Sequence, residues 1–432
     1  ATAWSWSDDS KTLTMDLREG VVFHDGTPFN AEAVKANIER SKTLPESRRK
    51  SEVKSIESVA VTGQYQVKMT LSAPDATLLA QLADRSGMMI SPTAAEAAGA
   101  DFGAKPICSG PYKFVERVAQ DRIVLEKFAD HWNADAYHFD QVIFLPIPDT
   151  TVRLANLQSG DLDMLERLAA TDAAAVKADD NLQYAEAVGL GYQGITVNIG
   201  NGDRAKNPLG EDARLRQAFE LAIDRAALNQ VVFEGAFAPG NQPFPPNSPW
   251  YDSEVPIPAR DIEKAKALMQ EAGHETFDVE VQVANNPVQT QVMQVVQAMV
   301  AEAGFNVTLK SMEFASLLSE QTAGNYQASQ VGWSGRIDPD GNIHQFLTCK
   351  GGINDSKYCN PEVDKLLDTA RRSNNDEERK ASYDAARKIL AENLPIIYLY
   401  HPTWIWALGK DLDGFVPYPD GMIRLQNVKL KS

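Results

Sequence analysis

Two motifs in the sequence match known ligand-binding loops only in part. GLGYQG (189–194) has the glycine spacing of a dinucleotide-binding loop, which needs a helix after it so that the pyrophosphate meets the helix N-terminus. The residues that follow, ITVNI, are β-branched and favour a strand. DPDGN (338–342) resembles the start of a calcium loop, but Cys349 occupies the twelfth position, where glutamate is required. We therefore predict neither a nucleotide site nor a calcium site, and we interpret 338–342 as a type I turn that Gly341 closes.

The sequence contains no recognisable catalytic motif. Its six histidines include no pair spaced i, i+4, and neither HExxH nor GxSxG occurs. The 59 acidic residues are so numerous that chance pairs are certain, and nothing singles out an acid–base couple. We predict a protein that is not an enzyme and that has no catalytic residues, metal site or cofactor.

The three cysteines allow more than one interpretation. Cys349 and Cys359 enclose the short Gly/Asn/Asp-rich segment 350–358, and a disulfide there would stabilise the fold by a few kcal/mol at most. Such a bond would indicate an oxidising compartment. Two free thiols are the alternative, and a metal site is less favoured because His344 is the only further ligand nearby. We expect Cys108 to behave as a small, buried apolar residue.

Composition narrows the class of protein. The chain has 432 residues with a formal net charge of −17, which repels phosphate backbones and anionic lipids and argues against nucleic-acid or membrane-surface binding. Its 43% hydrophobic content is ordinary for a globular protein, and no apolar run reaches 18 residues. The opening ATAWSWSDDS shows no signal peptide, so one was either never present or has been removed.

Hydrophobic periodicity predicts mixed strands and helices. Residues 12–17 alternate as a half-buried strand does, and Asn30 is placed to cap a following helix. Residues 211–228 read as one amphipathic helix, and Asp261 and Gly273 bracket another. Because no strict βαβ repeat occurs, we expect α/β layers in more than one lobe.

Three segments combine aromatic and polar residues at predicted ends of strands. Small-molecule pockets have apolar walls with a few placed polar groups, so these segments supply suitable side chains, although each alone could equally be core or surface. The candidate ligand-binding residues are Tyr192, Gln193, Trp333, Ser334, Gly335, Arg336, Asp338, Trp404 and Trp406.

Several ordered motifs resemble those of the family 5 extracellular solute-binding proteins of ABC importers, the receptors for peptides, dipeptides, glutathione and nickel chelates. The resemblance covers nearly the whole chain. The matching motifs are WSWSDDSKTLTMDLREGVVFHDGTPF, SGPYKF, LQSGDLDM, DARLRQAFELAIDR and LPIIYLYH.

The resemblance implies a two-lobed α/β periplasmic binding protein fold, of type II and the large peptide-receptor subclass, that closes by a hinge. We expect a first lobe of 1–188 completed by 408–432, and a second lobe of 189–407. The pair Cys349 and Cys359 resembles a disulfide of the dipeptide receptors. The family also implies a periplasmic location, an inner-membrane ABC permease as partner, no membrane insertion and a monomer.

The sequence departs from the family pattern in three places. The family has several tens of residues before the WSWSDD position, so we expect either a missing native start or an incomplete lobe. Dipeptide receptors carry Asp after the W-[ST]-G motif to hold the ligand ammonium, and here Arg336 stands there. They also carry an Arg for the ligand carboxylate, where this chain has Val283.

These changes predict an acidic, peptide-like ligand of the glutathione or amino-acid-conjugate type, because a guanidinium repels an ammonium and holds a carboxylate through two hydrogen bonds. Alternatively, Arg336 pairs with Asp338 or Asp340 and never meets the ligand. A general dipeptide or oligopeptide receptor is the alternative function. A hydrolase or a ligand-sensing domain is less favoured.

Overall fold

The computed structural model describes residues 1–431. Its strands are β1 (Ala3–Trp6), β2 (Thr12–Asp16), β3 (Ile56–Gly63), β4 (Gln66–Leu71), β5 (Tyr112–Val118), β6 (Arg122–Lys127), β7 (Gln141–Phe144), β8 (Met164–Glu166), β9 (Leu182–Val188), β10 (Tyr192–Val197), β11 (Ala238–Pro239), β12 (Phe277–Ala284), β13 (Phe305–Met312), β14 (Ala328–Trp333), β15 (Ile396–His401), β16 (Thr403–Gly409), β17 (Leu412–Asp413) and β18 (Lys429–Leu430). Its α-helices are α1 (Ala31–Thr43), α2 (Leu78–Leu82), α3 (Pro92–Ala98), α4 (Thr150–Ser159), α5 (Ala173–Ala178), α6 (Pro208–Glu211), α7 (Ala213–Leu221), α8 (Arg225–Phe233), α9 (Ile262–Glu271), α10 (Pro287–Ala301), α11 (Phe314–Ala323), α12 (Asp340–Leu347), α13 (Pro361–Arg372) and α14 (Asp376–Asn393).

The N-terminal part forms an antiparallel sheet in the order β1-β2-β4-β3. Leu13 is fully buried between the half-buried Thr12 and Thr14 of β2, which confirms the alternation predicted for this strand. Helix α1 packs its buried Val34 and Ile38 into the same core. The predicted cap is confirmed as well, because the Asn30 side chain accepts a hydrogen bond from the backbone N–H of Ala33 at 3.0 Å. A second antiparallel sheet, β5-β6-β7, follows in the chain.

The second half is built on a six-stranded mixed sheet in the order β11-β15-β10-β14-β12-β13. Strand β12 runs parallel to β13 and β14, and the remaining pairs are antiparallel. Both faces carry a buried apolar core: Ile397 and Leu399 of β15 point to one, and Ile396 and Tyr398 to the other. A sheet covered on both faces gives near-continuous apolar strands, which explains the unbroken run at 396–400.

A three-stranded sheet, β8-β16-β9, lies next to the six-stranded one along the chain. Strand β16 is also buried on both faces, with Ile405 and Ala407 in one core and Trp406 and Leu408 in another. The chain passes from β9 into β10 through residues 189–191, and from β15 into β16 through Pro402. These two crossings connect the two sheets.

The structure departs from two local predictions, one in full and one in part. The helix predicted over 211–228 is wrong as a single element, because Asp224 caps a new helix: its side chain accepts from the Ala227 N–H at 2.8 Å, and α7 and α8 are separate. The predicted turn at 338–341 is confirmed by the hydrogen bond from the Gly341 N–H to the Asp338 carbonyl at 3.2 Å, but it continues directly into α12.

Candidate functional site

The two crossings and the end of β14 are in direct backbone contact. A Cβ atom added to Gly191 would lie 1.8 Å from the Trp333 carbonyl oxygen, so only glycine fits there. Gly335 has φ +90°, and an added Cβ would lie 2.5 Å from the Gly191 nitrogen. The ring nitrogen Nδ1 of His401 lies 2.7 Å from the Gly191 carbonyl oxygen. Three segments that are far apart in the sequence therefore meet at one place.

Trp404 lies beside the first crossing and is held there by the C-terminal segment. Its indole Nε1 donates to the Pro419 carbonyl at 3.0 Å, and the Leu190 N–H donates to the same oxygen at 3.2 Å. Gly421 packs against the indole ring so closely that an added Cβ would lie 2.5 Å from a ring carbon. Sequence reasoning missed this segment, since nothing in residues 418–421 indicates a long-range contact.

One side-chain amide, that of Asn342, holds the segment Trp333–Arg336 in place through hydrogen bonds. The Oδ1 atom of Asn342 accepts from the Trp333 indole at 3.0 Å and from the Arg336 backbone N–H at 2.7 Å. The Arg336 guanidinium lies over the Trp333 ring, 4.1 Å from its centroid. Its Nη1 donates to the Gly335 carbonyl at 2.7 Å and to Ser334 Oγ at 3.3 Å. Arg336 is thus held in one orientation by its own neighbours.

The acidic partner of Arg336 is Asp84, in the loop between α2 and α3. The Arg336 Nε atom pairs with Asp84 Oδ2, and the two side chains are only 13% and 15% exposed. Burial lowers the pKa of Arg336 to about 10, although the charge of Asp84 opposes this. Asp84 carries no sequence signal of its role, because only the fold brings it near residue 336.

Neither Asp338 nor Asp340 is the partner of Arg336, so the pairing assumed in that alternative is wrong. Contact between Arg336 and the ligand stays a prediction. Asp338 pairs with Arg379 at 2.7 Å, and Asp340 pairs with Arg371 at 2.5 Å. Burial raises the pKa of Asp338 in spite of the nearby Arg379 charge. The ligand-binding role expected for Asp338 stays a prediction, but its carboxylate already has a cationic partner.

Of three other candidates, Tyr192 and Trp406 lie within apolar cores, and Gln193 is half-buried. Tyr192 is 2% exposed and meets Tyr398 edge-on, with ring centroids 4.7 Å apart. Trp406 is 1% exposed, and its Nε1 has no hydrogen-bond partner among the described residues. Gln193 Oε1 accepts from Gln330 at 2.8 Å. Their expected ligand contacts stay predictions, and the packing gives them a role in supporting the crossings.

A disulfide joins Cys349 and Cys359, with Cα atoms 4.3 Å apart, as predicted. His344, the residue considered as a metal ligand, instead places Nε2 3.0 Å from Asp368 Oδ1. Within residues 1–431, no group of three or more His, Cys, Asp or Glu side chains could hold a metal ion. None of the helices in these residues has the length and hydropathy needed to span a bilayer.

Comparison with known proteins identifies the family. Residues 1–354 match the model of the bacterial extracellular solute-binding proteins, family 5, middle region. The chain belongs to this family. It is 29% identical over 444 residues to the glutathione-binding protein GsiB of Shigella dysenteriae serotype 1, and the match covers 100% of this chain and 85% of GsiB.

Solved structures confirm the two-lobed periplasmic binding protein fold. AgaA from A. tumefaciens R10, in complex with agropinic acid, superposes with a TM-score of 0.90 at 25% identity, covering 100% of this chain and 89% of AgaA. The dipeptide-binding protein of Pseudoalteromonas sp. SM9913, in complex with Met-Leu, superposes with a TM-score of 0.91 at 24% identity. The match covers 100% of this chain and 90% of that protein. The family members compared are named as binding proteins, so this protein is a solute-binding protein of the ABC importer type.

Proposed function

We propose that the protein is the periplasmic receptor of an ABC importer and that it captures an acidic, peptide-like solute for an inner-membrane permease. The observation that supports this ligand class is the position of Arg336. Its guanidinium follows the W-S-G motif, lies over the Trp333 ring and pairs with Asp84. A fixed guanidinium favours a carboxylate, which it binds through two parallel hydrogen bonds. The relatives GsiB and AgaA, named with glutathione and agropinic acid, support this class.

The mechanism is capture by closure, with no covalent step. Backbone contact at Gly191 and Gly335 leaves no room for side chains, so the end of β14 packs tightly against the first crossing. We expect the lobes to rotate about the two crossings. Strand β16 pairs with β8 and β9, which favours a second crossing at Pro402 rather than near residue 407. The division into a first lobe of 1–188 with 408–432 and a second lobe of 189–407 stays a prediction, as does the monomeric state. A second crossing at Pro402 would move residues 403–407 into the first lobe.

A general oligopeptide receptor is the second candidate. It is favoured by AppA from Bacillus subtilis, solved in complex with a nonapeptide, which superposes with a TM-score of 0.89 at 25% identity. The pairing of Arg336 with Asp84 also fits this alternative, since a guanidinium that keeps its partner contributes little to ligand charge selection.

Isothermal titration calorimetry with glutathione, an opine and a neutral tripeptide separates these functions. We expect micromolar or tighter binding of the anionic ligands and at least tenfold weaker binding of the neutral peptide. Arg336→Gln should weaken anion binding at least tenfold, because hydrogen bonds to charged groups contribute about 1.5–3 kcal/mol. Arg204→Gln, which removes an exposed pair with Glu280, is the matched control. Equal binding of all probes, unaffected by Arg336→Gln, would establish the general receptor instead.

A further inference from the structure

The loop residues that face Arg336 carry two acidic side chains with a common arrangement. Asp84 Oδ1 is held by the neighbouring Arg85, with Nη1 at 3.2 Å, and Glu52 Oε1 is held by Arg49 at 2.5 Å. The second carboxylate oxygens of the two acids differ in their partners. Asp84 Oδ2 pairs with Arg336, whereas Glu52 Oε2 has no hydrogen-bond partner in residues 1–431.

The unpaired oxygen of Glu52 is buried, which lowers the stability of the folded protein. Glu52 is 6% exposed, and burial raises its pKa against the charges of Arg49 and Arg336, while the charge of Asp84 raises it further. The hydroxyl of Ser86 is close enough to Glu52 to lower its pKa, but it donates its hydrogen bond to the Gln81 carbonyl. A buried carboxylate oxygen without a donor destabilises a protein, so a group that donates hydrogen bonds there is stabilising.

The charges of Arg336, Asp84 and Glu52 favour replacing the Arg336–Asp84 ion pair with ion pairs to a ligand. If a ligand carboxylate binds Arg336, Asp84 Oδ2 loses this cationic partner. The Asp84 side chain is only 15% exposed, so water replaces that partner poorly. Asp84 Oδ2 would then lack its ion pair, as Glu52 Oε2 lacks a hydrogen-bond partner in residues 1–431, and both acids lie close enough to Arg336 to act on its charge. An ammonium group has three donors and a positive charge, so its chemistry suits two neighbouring carboxylate oxygens that lack close donors.

We propose that Arg336, Asp84 and Glu52 recognise the free amino-acid head of the ligand. The α-carboxylate binds Arg336 and displaces Asp84, while the α-ammonium of the same head binds Asp84 Oδ2 and Glu52 Oε2. One ion pair between the two sides of the cleft is replaced by two ion pairs with the ligand. This proposal rests on the proposed function and adds to it that the acidic solute carries an unblocked amino group.

The test is calorimetric titration with glutathione and γ-glutamylglycine, each with a free and an N-acetylated amino group. Wild-type protein should bind the free forms at least tenfold more tightly than the acetylated forms. Asp84→Asn and, independently, Glu52→Gln should reduce this ratio to within about threefold of unity. Asp203→Asn, at an exposed acid, should leave the ratio unchanged.

The possible outcomes distinguish this proposal from the function on which it rests. Equal binding of free and acetylated probes would overturn the amino-acid-head proposal and leave the anion receptor standing. A loss of affinity in Asp84→Asn that is the same for both forms would show that Asp84 only holds the two sides of the cleft together, and would also overturn it. If no probe binds while a neutral peptide does, the proposed function fails and this proposal fails with it. Glu52→Gln keeps the test decisive if Asp84→Asn does not fold.

Discussion

The imidazole of His401 is hydrogen-bonded to the backbone of Gly191, with Nδ1 2.7 Å from the carbonyl oxygen. Because a carbonyl only accepts, Nδ1 carries the proton and the neutral ring has its lone pair on Nε2. This bond joins the end of β15 to the first crossing, and it is buried, with His401 only 1% exposed. The ring also packs on Gly240, where an added Cβ would lie 2.5 Å from Nε2.

Stability should fall on acidification because of His401. Burial lowers its pKa from 6.5 to about 4, so between these values the unfolded chain binds a proton that the folded protein does not. The contribution of the neutral ring to the free energy of unfolding is complete above pH 6.5, decreases as the pH falls, and is lost below about pH 4. The total loss is roughly 3 kcal/mol.

Urea unfolding from pH 7 to 4.5 measures how the free energy of unfolding changes with pH. His401→Gln should flatten this dependence, whereas the exposed His138→Gln should not; parallel slopes in all three proteins would contradict the prediction.

Gly191→Ala should destabilise the protein by about 1–3 kcal/mol or prevent folding, because the new Cβ overlaps the Trp333 carbonyl oxygen. Gly103→Ala is the control, since no atom lies within 4 Å of its added Cβ. Thermal unfolding of the two variants provides the comparison. A Gly191→Ala protein as stable as the control would show that the crossing does not pack against β14.

Asp338→Asn should reduce stability more than affinity. It removes one charge of the pair with Arg379, whose side chain is 7% exposed, and an unpaired buried cation costs about 3–5 kcal/mol. Chemical denaturation gives the loss of stability, and titration with glutathione at a temperature where the variant is folded gives the affinity. A large loss of affinity with unchanged stability would instead place Asp338 in contact with the ligand.

Loss of the disulfide should lower stability by roughly 2–3 kcal/mol, since the bond closes a loop of sequence separation 10 and restricts the unfolded chain. The variant is Cys349→Ala with Cys359→Ala, and Cys108→Ala, which removes the free thiol, is the control. Unfolding with and without reductant measures the effect. A double variant as stable as the reductant-free parent would mean that contacts around the loop, such as the hydrogen bond from the Cys349 N–H to Asp364, suffice.

Local physics determined much of this protein from the sequence. Alternation predicted β2, side-chain caps predicted the starts of α1 and α9, and the glycine after α9 adopts φ +86° as expected. The ordered motifs predicted the family and its two-lobed fold. The helix break at Asp224 was missed because its apolar spacing continues across the break, so periodicity alone did not reveal the second cap.

The tertiary structure alone decided which charges meet. The sequence nominated Arg336 from its place in a motif, but it offered Asp338 and Asp340 as partners because they are near in the chain. In the folded protein Asp338 pairs with Arg379 and Asp340 pairs with Arg371. Asp84 pairs with Arg336. Caps and strand patterns depend on neighbours a few residues apart, whereas buried ion pairs depend on which loops the packed sheets bring together, and that information is spread over the whole chain.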